Sequence, residues 1–246
     1  MNNPKLISSN LIDCIPILEK CPNNCKPCYY NDEGLYRNQN ITDMLEMGDD
    51  DPKSIPIDRY IPSLQEVENK IVRVNSGGDS SIKMNYVLSV TKQYPKKFYN
   101  TSLPFYLTKF PAPVVFTCNP HQDEGWFYAV SHAKNLMFVR IRVDTWNVDT
   151  INRAVTYYAN AGVPVVLTFL YFNESNKGTI QHPENYYTHK HVENDRIIIK
   201  PNVWDSIMNR YPFHNVLSCG SPESALCADC GNCELLYERA MSIWYK

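Results

Sequence analysis

The sequence contains no segment of the kind that directs a chain to a membrane. Its first ten residues, MNNPKLISSN, have neither the positively charged block nor the apolar block of a signal peptide. Its longest apolar run, 163–172, is far shorter than the roughly 20 residues of a membrane-spanning helix. We therefore expect a cytoplasmic protein that makes no contact with membranes.

An excess of charge of one sign is also absent. The formal net charge is −2, and no long basic block occurs in the 246 residues. Strong nonspecific binding to nucleic acid depends on such basic charge, so it is not indicated here. Hydrophobic residues make up 43% of the chain, which is enough for a globular domain with a substantial core.

Cysteine is abundant, but its distribution argues against a secreted disulfide scaffold. The nine cysteines are odd in number, occur in a chain of 246 residues and follow no signal peptide. Seven of them fall into two tight groups, and clustered thiols in a reducing compartment more often hold metal. We expect the other two, Cys14 and Cys118, to be buried and unreactive thiols in strands.

The first group has three cysteines, Cys21, Cys25 and Cys28, in the run CPNNCKPCYY. Structural zinc sites usually have four protein ligands, and a four-iron cluster takes one thiolate per iron. Three thiolates therefore leave one metal coordination position open to an external ligand. The alternative is a zinc knuckle that lacks its fourth ligand.

Four cysteines, Cys219, Cys227, Cys230 and Cys233, form the second group. The CxxCxxC spacing of the last three is typical of ferredoxin-type ligation, and four thiolates would saturate a second [4Fe–4S] cluster. Such a cluster would carry electrons rather than bind substrate. A structural zinc site with four cysteine ligands is the alternative.

Predicted strands and helices alternate over most of the chain, which is typical of a parallel α/β sheet or barrel. A capping-box pattern, Ser63 with Glu66, predicts that a helix begins at Ser63. Apolar residues at helical spacing predict helices over 80–93 and 149–161, with Gly162 ending the second. The apolar sides of these two helices would be Ile82, Tyr86 and Val90, and Ile151, Val155 and Tyr158. Further helices are predicted over 123–135 and 202–211, and strands over 70–75, 97–101, 114–118, 137–144, 163–172 and 216–217.

Three features, in this order, resemble the radical S-adenosylmethionine superfamily over roughly 12–172. They are the CxxxCxxC motif near the N-terminus, a strand that ends in Gly77-Gly78-Asp79, and the β/α alternation that follows. The resemblance implies an α/β fold, a partial TIM-like β/α barrel with a short C-terminal cysteine-rich extension. The barrel would span 1–215 with a polar insertion at about 31–61, and the extension would span 216–246.

The resemblance also implies the chemistry of the first cysteine group. Cys21, Cys25 and Cys28 would hold three irons of a [4Fe–4S] cluster, and the amine and carboxylate of S-adenosyl-L-methionine would chelate the fourth. An electron from the reduced cluster, supplied by a donor such as a flavodoxin or a ferredoxin, would split the sulfonium into methionine and a 5′-deoxyadenosyl radical. That radical would take a hydrogen atom from an unidentified substrate, which is a small molecule, a nucleotide or a peptide.

A binding site for S-adenosylmethionine follows from the same resemblance. Gly77 and Gly78 would let the backbone approach the methionine moiety closely. Asp79, at a position where the family often has glutamate, would accept a hydrogen bond from the ammonium group. Tyr29 is the candidate for packing on the adenine.

The predicted strand 137–144 has one apolar side and one charged side, because the two kinds of residue alternate along it. The apolar side should pack on the outer helices of the barrel, and the charged side should line the lumen. Buried unpaired charge is costly, so one arginine should contact the carboxylate of S-adenosylmethionine or of the substrate, unless the charges pair only with one another. The charged residues are Arg140, Arg142 and Asp144, and the apolar residues are Val139, Ile141 and Val143.

Two function classes other than an enzyme stay open. A non-catalytic iron–sulfur protein with two clusters, working in electron transfer, would need neither an open coordination position nor a glycine-rich strand end. A zinc-binding interaction module would be colourless. The radical enzyme is favoured because both of its motifs occur in the expected order.

Overall fold

A parallel sheet organises the fold, and the α/β class predicted from the alternation is confirmed. In a computed structural model, seven strands form one all-parallel sheet that curls into a half-barrel, which is consistent with the predicted incomplete barrel. The model describes residues 6–17, 61–118, 132–143, 148–169, 187–192, 196–224 and 226–244. In spatial order the strands are β1 (Leu11–Cys14), β2 (Ile71–Val74), β3 (Lys97–Thr101), β4 (Val114–Cys118), β5 (Leu136–Val143), β6 (Val165–Phe169) and β9 (Val216–Cys219).

Helices and a hairpin complete the described structure. The hairpin pairs β7 (Tyr187–Val192) with β8 (Arg196–Ile199) in antiparallel fashion, in a region for which no element was predicted. The predicted helix over 123–135 and the predicted insertion over 31–61 lie almost entirely outside the described residues. No helix in the described ranges has the length and apolar character needed to cross a membrane. The helices are α1 (Met84–Thr91), a 3₁₀ helix (Pro104–Lys109), α2 (Val148–Asn160), α3 (Pro201–Met208), α4 (Cys227–Cys230) and α5 (Asn232–Trp244).

The two faces of the sheet differ as the alternation in β5 predicts. Val139, Ile141 and Val143 are buried in a core that they share with helices α1, α2 and α3. Arg140 and Arg142 project from the opposite face, since side chains alternate along a strand. We call the face that carries these two arginines the inner face.

Helix α5 of the cysteine-rich extension covers the apolar part of the inner face. Its residues Leu236 and Tyr237 are buried in a cluster that includes Phe98 of β3 and Phe138 of β5. The ring centroids of Phe98 and Tyr237 are 6.4 Å apart. The extension therefore shares a hydrophobic core with the strands of the sheet.

Two hydrogen bonds connect α5 to both edge strands. Asn10, which precedes β1, donates from Nδ2 to Glu234 Oε1 at 2.7 Å. Asn232 donates from Nδ2 to the carbonyl oxygen of Ser218 in β9, also at 2.7 Å. Because β1 and β9 stand at the two ends of the strand order, the first turn of α5 bridges the open side of the half-barrel.

The helix predicted to begin at Ser63 does not form, although its capping box does. The backbone N–H and the hydroxyl of Ser63 both donate to Glu66 Oε2 at 2.8 Å, and the N–H of Glu66 donates back to Ser63 Oγ at 3.3 Å. The segment that follows is a series of turns, and Asn69 has a left-handed φ of 62°. Too few residues separate the box from β2 for a helix to propagate.

The predicted extent and apolar side of helix α1 are also corrected. The helix begins at Met84, after Lys83 with a left-handed φ of 48°, and not at position 80. The helix buries Val87 and Thr91, whereas Tyr86 is exposed. Because the left-handed Lys83 lies between Ile82 and the helix, Ile82 is outside the helical repeat. The buried side of α1 is therefore set by the residues from Met84 onward.

The predicted end of helix α2 is confirmed. Gly162 has a φ of 75°, and the N–H groups of Gly162 and Val163 donate to the carbonyl oxygens of Ala159 and Tyr158. This is the Schellman arrangement, which needs a residue that tolerates left-handed backbone. Asn215 strengthens it by donating from Nδ2 to the carbonyl oxygens of Ala159 and Val163, both at 3.0 Å.

Cys14 and Cys118 are buried strand residues, as predicted. Burial is the main cause that raises the pKa of Cys14 to about 12, and it raises the pKa of Cys118 well above its usual range. The reactive form of cysteine is the thiolate. We therefore expect iodoacetamide at pH 8 to leave both thiols unmodified in the folded, reduced protein and to modify both in urea, as read by peptide mass spectrometry.

The same raised pKa gives the stability a pH dependence. The folded state favours the neutral Cys14 thiol. Its contribution to the free energy of unfolding is therefore fully present below the usual thiol pKa and is lost as the pH rises towards about 12. Rapid alkylation of Cys14 in the folded protein at pH 8 would contradict both statements.

Candidate functional site

The carboxyl ends of β1 and β2 lie side by side at one edge of the sheet. The two strands pair in parallel, with Cys14 opposite Val74 at their ends. After β1 the chain continues through the buried residues Ile15 and Ile17 towards the first cysteine group. Cys21, Cys25, Cys28 and Tyr29 themselves lie outside the described residues.

The Gly77-Gly78 turn begins at Asn75, which has a left-handed φ of 51°. The N–H of Asn75 donates to the carbonyl oxygen of Cys14 at 2.8 Å, so the turn starts beside the end of β1. Among the described residues, a Cβ atom built on Gly78 would meet Asn75 Cβ and the carbonyl oxygen of Ile17, both at 4.0 Å. Among the described residues, neither the backbone nor the packing requires glycine at position 78, and the close approach of a ligand expected there stays a prediction.

Asp79 closes the turn and is buried within a dense set of donors from its own chain. Its Oδ1 accepts hydrogen bonds from the N–H of Ser81 at 2.9 Å, the hydroxyl of Ser81 at 2.6 Å and the hydroxyl of Thr101 at 2.8 Å. Its Oδ2 accepts hydrogen bonds from the N–H of Ser102 at 2.7 Å and the hydroxyl of Ser102 at 2.8 Å. A carboxylate offers about four acceptor positions, so these five donors fill it. Its predicted contact with the ammonium of S-adenosylmethionine stays a prediction, while its observed role is to attach the turn to β3.

A buried ion pair joins β1 to β2 on the inner face. Arg73 donates from Nε to Asp13 Oδ1 at 2.7 Å and from Nη2 to Asp13 Oδ2 at 3.2 Å. Burial alone would lower the pKa of Arg73, but the charge and hydrogen bonds of Asp13 raise it well above its usual range. The pair is bidentate, which fixes both side chains in the lumen.

Arg140 is held on the inner face by a neutral partner. Its Nη1 donates to Asn100 Oδ1 at 3.2 Å, and its guanidinium lies 5.7 Å from the ring centroid of Phe138. Asn100 is fixed in turn because its Nδ2 donates to the carbonyl oxygen of Val74 at 2.8 Å. Arg142 is buried farther along β5 on the same face, and Asp144 lies outside the described residues.

The structure brings three of the four cysteines of the extension to the inner face. Cys219 ends β9, Cys227 and Cys230 bound the short helix α4, and Cys233 lies in the first turn of α5. Gly231, with a left-handed φ of 62°, turns the chain between α4 and α5. Cys219, Cys227 and Cys233 pack against the apolar cluster that contains Phe98 and Phe138.

The electrostatics of the four thiols show that they interact with one another. A hydrogen bond with Cys219, together with burial, raises the pKa of Cys230, whose Sγ also contacts the carbonyl oxygen of Ser218 at 3.7 Å. Burial raises the pKa of Cys233 to about 11, and the positive charges of Arg140 and Arg73 act in the opposite direction.

A closed metal site is not formed among the described residues. Within those ranges, no set of three or more histidine, cysteine, aspartate or glutamate side chains is arranged to hold a metal ion. Four neighbouring thiols have the donor chemistry that zinc or an iron–sulfur cluster takes, so the residue types fit such a centre. The metal sites at both cysteine groups stay predictions.

Two residues of the inner face, Asp13 and Asn100, were not identified from the sequence. Alternation along the strands is the signal that could have found them, since Asp13 follows Leu11 at a spacing of two and Asn100 follows Phe98 in the same way. These strands are four and five residues long, and so few residues do not define an inner and an outer face in the sequence.

Comparison of the chain with protein-family models, with curated proteins and with solved structures found no match.

Proposed function

We propose that this protein is a radical S-adenosylmethionine enzyme whose half-barrel is a partial TIM-like barrel. The observation that carries the proposal is the pairing of β1 with β2. Because parallel neighbours end at the same edge, the chain that leads to Cys21, Cys25 and Cys28 leaves the sheet beside the Gly77-Gly78 turn. The two motifs that would share one cofactor are thus attached to adjacent strand ends.

Each part of the chain has a distinct role in this proposal. Cys21, Cys25 and Cys28 would hold a [4Fe–4S] cluster, which with S-adenosylmethionine supplies the 5′-deoxyadenosyl radical when bound. Gly78 would let the backbone approach S-adenosylmethionine closely, and the 4.0 Å contacts of a Cβ built there are compatible with this role without proving it necessary. Asp79 keeps the turn against β3.

The binding roles of several residues are proposed from their positions and not from observed contacts. Arg142, buried on the inner face towards the carboxyl end of β5, is the candidate for the carboxylate of S-adenosylmethionine or of the substrate. Asp144 would line the lumen and Tyr29 would pack on the adenine, as expected from the sequence. The substrate is a small molecule, a nucleotide or a peptide, and a flavodoxin or ferredoxin would supply the electron.

The experiment that tests the proposal measures 5′-deoxyadenosine. Protein reconstituted anaerobically with iron and sulfide is incubated with dithionite and S-adenosylmethionine, and the nucleoside is quantified by liquid chromatography with mass spectrometry. We expect product from the parent chain and from Cys227→Ser, because that substitution affects only the second cysteine group. We expect none from Cys25→Ser, which removes one of three ligands.

The outcomes separate the three function classes. Two reducible clusters with no 5′-deoxyadenosine would favour the electron-transfer protein over the enzyme. A colourless protein with zinc at the cysteines would favour the interaction module. Equal product from Cys25→Ser and the parent would show that the first cysteine group is not the site of cleavage.

A further inference from the structure

A buried acceptor at the carboxyl end of β2 has no donor among the residues that the structure describes. Asn75 is fully buried, and within the described ranges its Oδ1 makes no hydrogen bond. Buried polar atoms are hydrogen-bonded in the large majority of cases, because an unmade bond costs the free energy of removing the atom from water. Asn75 Oδ1 therefore needs a donor that the described residues do not supply.

The orientation of the Asn75 amide follows from its neighbour Ser80. The hydroxyl of Ser80 donates its one proton to the carbonyl oxygen of Val74 at 3.4 Å. Towards Asn75 this hydroxyl can only accept, and Asn75 Nδ2 donates to it at 3.4 Å. The amide oxygen is thus the atom that points away from Ser80.

The backbone fixes Asn75 at the start of the glycine turn. Its φ of 51° is left-handed, a conformation that asparagine adopts more readily than most residues. Its N–H donates to the carbonyl oxygen of Cys14 at 2.8 Å, and its own carbonyl oxygen accepts from the N–H of Gly78 at 3.3 Å. A Cβ atom built on Gly78 would lie 4.0 Å from Asn75 Cβ, so the bare side of this half-buried glycine faces Asn75.

The other polar side chain of the turn limits what kind of group can bind there. The carboxylate of Asp79 is filled by five donors of its own chain and cannot take a further one. Asp79 makes no ion pair within the described residues, so its negative charge acts against an anionic group nearby. A nitrogen donor is therefore the group that suits Asn75 Oδ1.

We propose that Asn75 is a binding residue for S-adenosylmethionine and that its Oδ1 accepts a hydrogen bond from the amino group of the methionine moiety. An amino group whose lone pair binds iron keeps two N–H donors, and the metal charge strengthens them. This inference rests on the proposed function. It gives Asn75 the contact that the sequence suggests for Asp79, and Asp79 keeps the turn against β3.

The test compares two ligands in the full chain, reconstituted anaerobically with iron and sulfide. S-Adenosylhomocysteine has the amino and carboxylate groups but no sulfonium to cleave, whereas 5′-methylthioadenosine lacks both groups. Asn75→Gly removes the acceptor, and glycine tolerates the left-handed backbone. Isothermal titration calorimetry should show roughly 10- to 100-fold weaker binding of S-adenosylhomocysteine, the loss of one strong hydrogen bond. The affinity for 5′-methylthioadenosine should stay within about twofold, because it offers no amino group.

Two further variants separate the hydrogen bond from an effect on the backbone. Asn69→Gly is the matched control, since Asn69 also has a left-handed φ, 62°, but is exposed and precedes β2. It should leave both affinities unchanged. Asn75→Asp keeps an oxygen acceptor in place and should hold the affinity for S-adenosylhomocysteine within about threefold of the parent. Asn75→Ala replaces the glycine variant if that variant does not fold.

The results distinguish a failure of this inference from a failure of the proposed function. An equal loss of affinity for both ligands in Asn75→Gly would assign Asn75 a structural role and overturn the inference. The inference alone is overturned if the parent forms 5′-deoxyadenosine and Asn75→Gly binds S-adenosylhomocysteine as tightly as the parent does. Both are overturned if the parent forms no 5′-deoxyadenosine and binds neither ligand.

Discussion

Replacing Asp13 by asparagine should lower the free energy of unfolding by about 3–5 kcal/mol, the cost of breaking a buried ion pair from one side. Asp13 is the bidentate partner of Arg73, with hydrogen bonds of 2.7 and 3.2 Å. Both side chains are about nine-tenths buried, at 10% and 9% exposure for Arg73 and Asp13. The substitution leaves a guanidinium without its counter-charge in the lumen, and urea denaturation of the reduced, metal-free protein measures the loss.

A double substitution tests whether the loss comes from the charge left behind. Asp13→Leu combined with Arg73→Met removes both charges and should recover most of the stability, since apolar replacements of buried pairs are often neutral. Asp205→Asn, at an exposed position of α3, is the control and should change stability by less than about 0.5 kcal/mol. If the double variant is no more stable than Asp13→Asn, then the ion pair itself stabilises the fold more than this account allows.

Asp79→Asn should also be strongly destabilising, by about 2–4 kcal/mol, because it disrupts several charge-assisted hydrogen bonds. Whichever carboxylate oxygen becomes the amide nitrogen, it faces a backbone N–H, from Ser81 on one side or from Ser102 on the other. The hydroxyls around Asp79 can rotate, but a backbone N–H cannot become an acceptor. One donor is therefore left facing another donor in a buried site.

The Asp79 variant also separates two roles for the Gly-Gly-Asp turn. Urea denaturation gives the stability, and equilibrium binding to the reconstituted protein gives the affinity for S-adenosylmethionine. The structure predicts a large loss of stability, with any loss of affinity following from a displaced turn. Normal stability with greatly weakened cofactor binding would instead identify Asp79 as a direct ligand of the ammonium group.

Alternating side chains in strands and helix-termination signals predict the parts of this fold that local chemistry determines. The period of two in β5 correctly separates Val139 and Ile141 from Arg140, because adjacent side chains of a strand must point to opposite faces. Gly162 correctly marks the end of α2, because few other residues adopt its φ of 75° at low cost.

Other features depend on the length of a segment or on partners distant in sequence. The Ser63–Glu66 box forms its hydrogen bonds without a helix, since the box specifies only the first turn and β2 follows soon after. The saturation of Asp79 depends on Thr101 and Ser102, which only the pairing of β2 with β3 brings near. The burial of α5 residues on the inner face likewise required the tertiary structure.

Some features of the candidate site are likewise visible in the sequence, and others depend on the tertiary structure. The two cysteine groups and the glycine turn are visible in the sequence because their spacing is local. The contact of Arg140 with Asn100 is not visible, since it joins residues 40 positions apart on different strands. Asp13 could have been recognised by its spacing from Leu11, but its partner Arg73 lies 60 positions away.

Electron paramagnetic resonance tests most directly whether the first cysteine group leaves a coordination position of its cluster open. The sample is the Cys227→Ser, Cys230→Ser chain, reconstituted to about four irons and reduced with dithionite, so that one cluster gives the signal. We predict that S-adenosylmethionine changes the g values of the reduced cluster, because its amine and carboxylate bind the iron that lacks a thiolate. Identical spectra with and without saturating S-adenosylmethionine would contradict the claim.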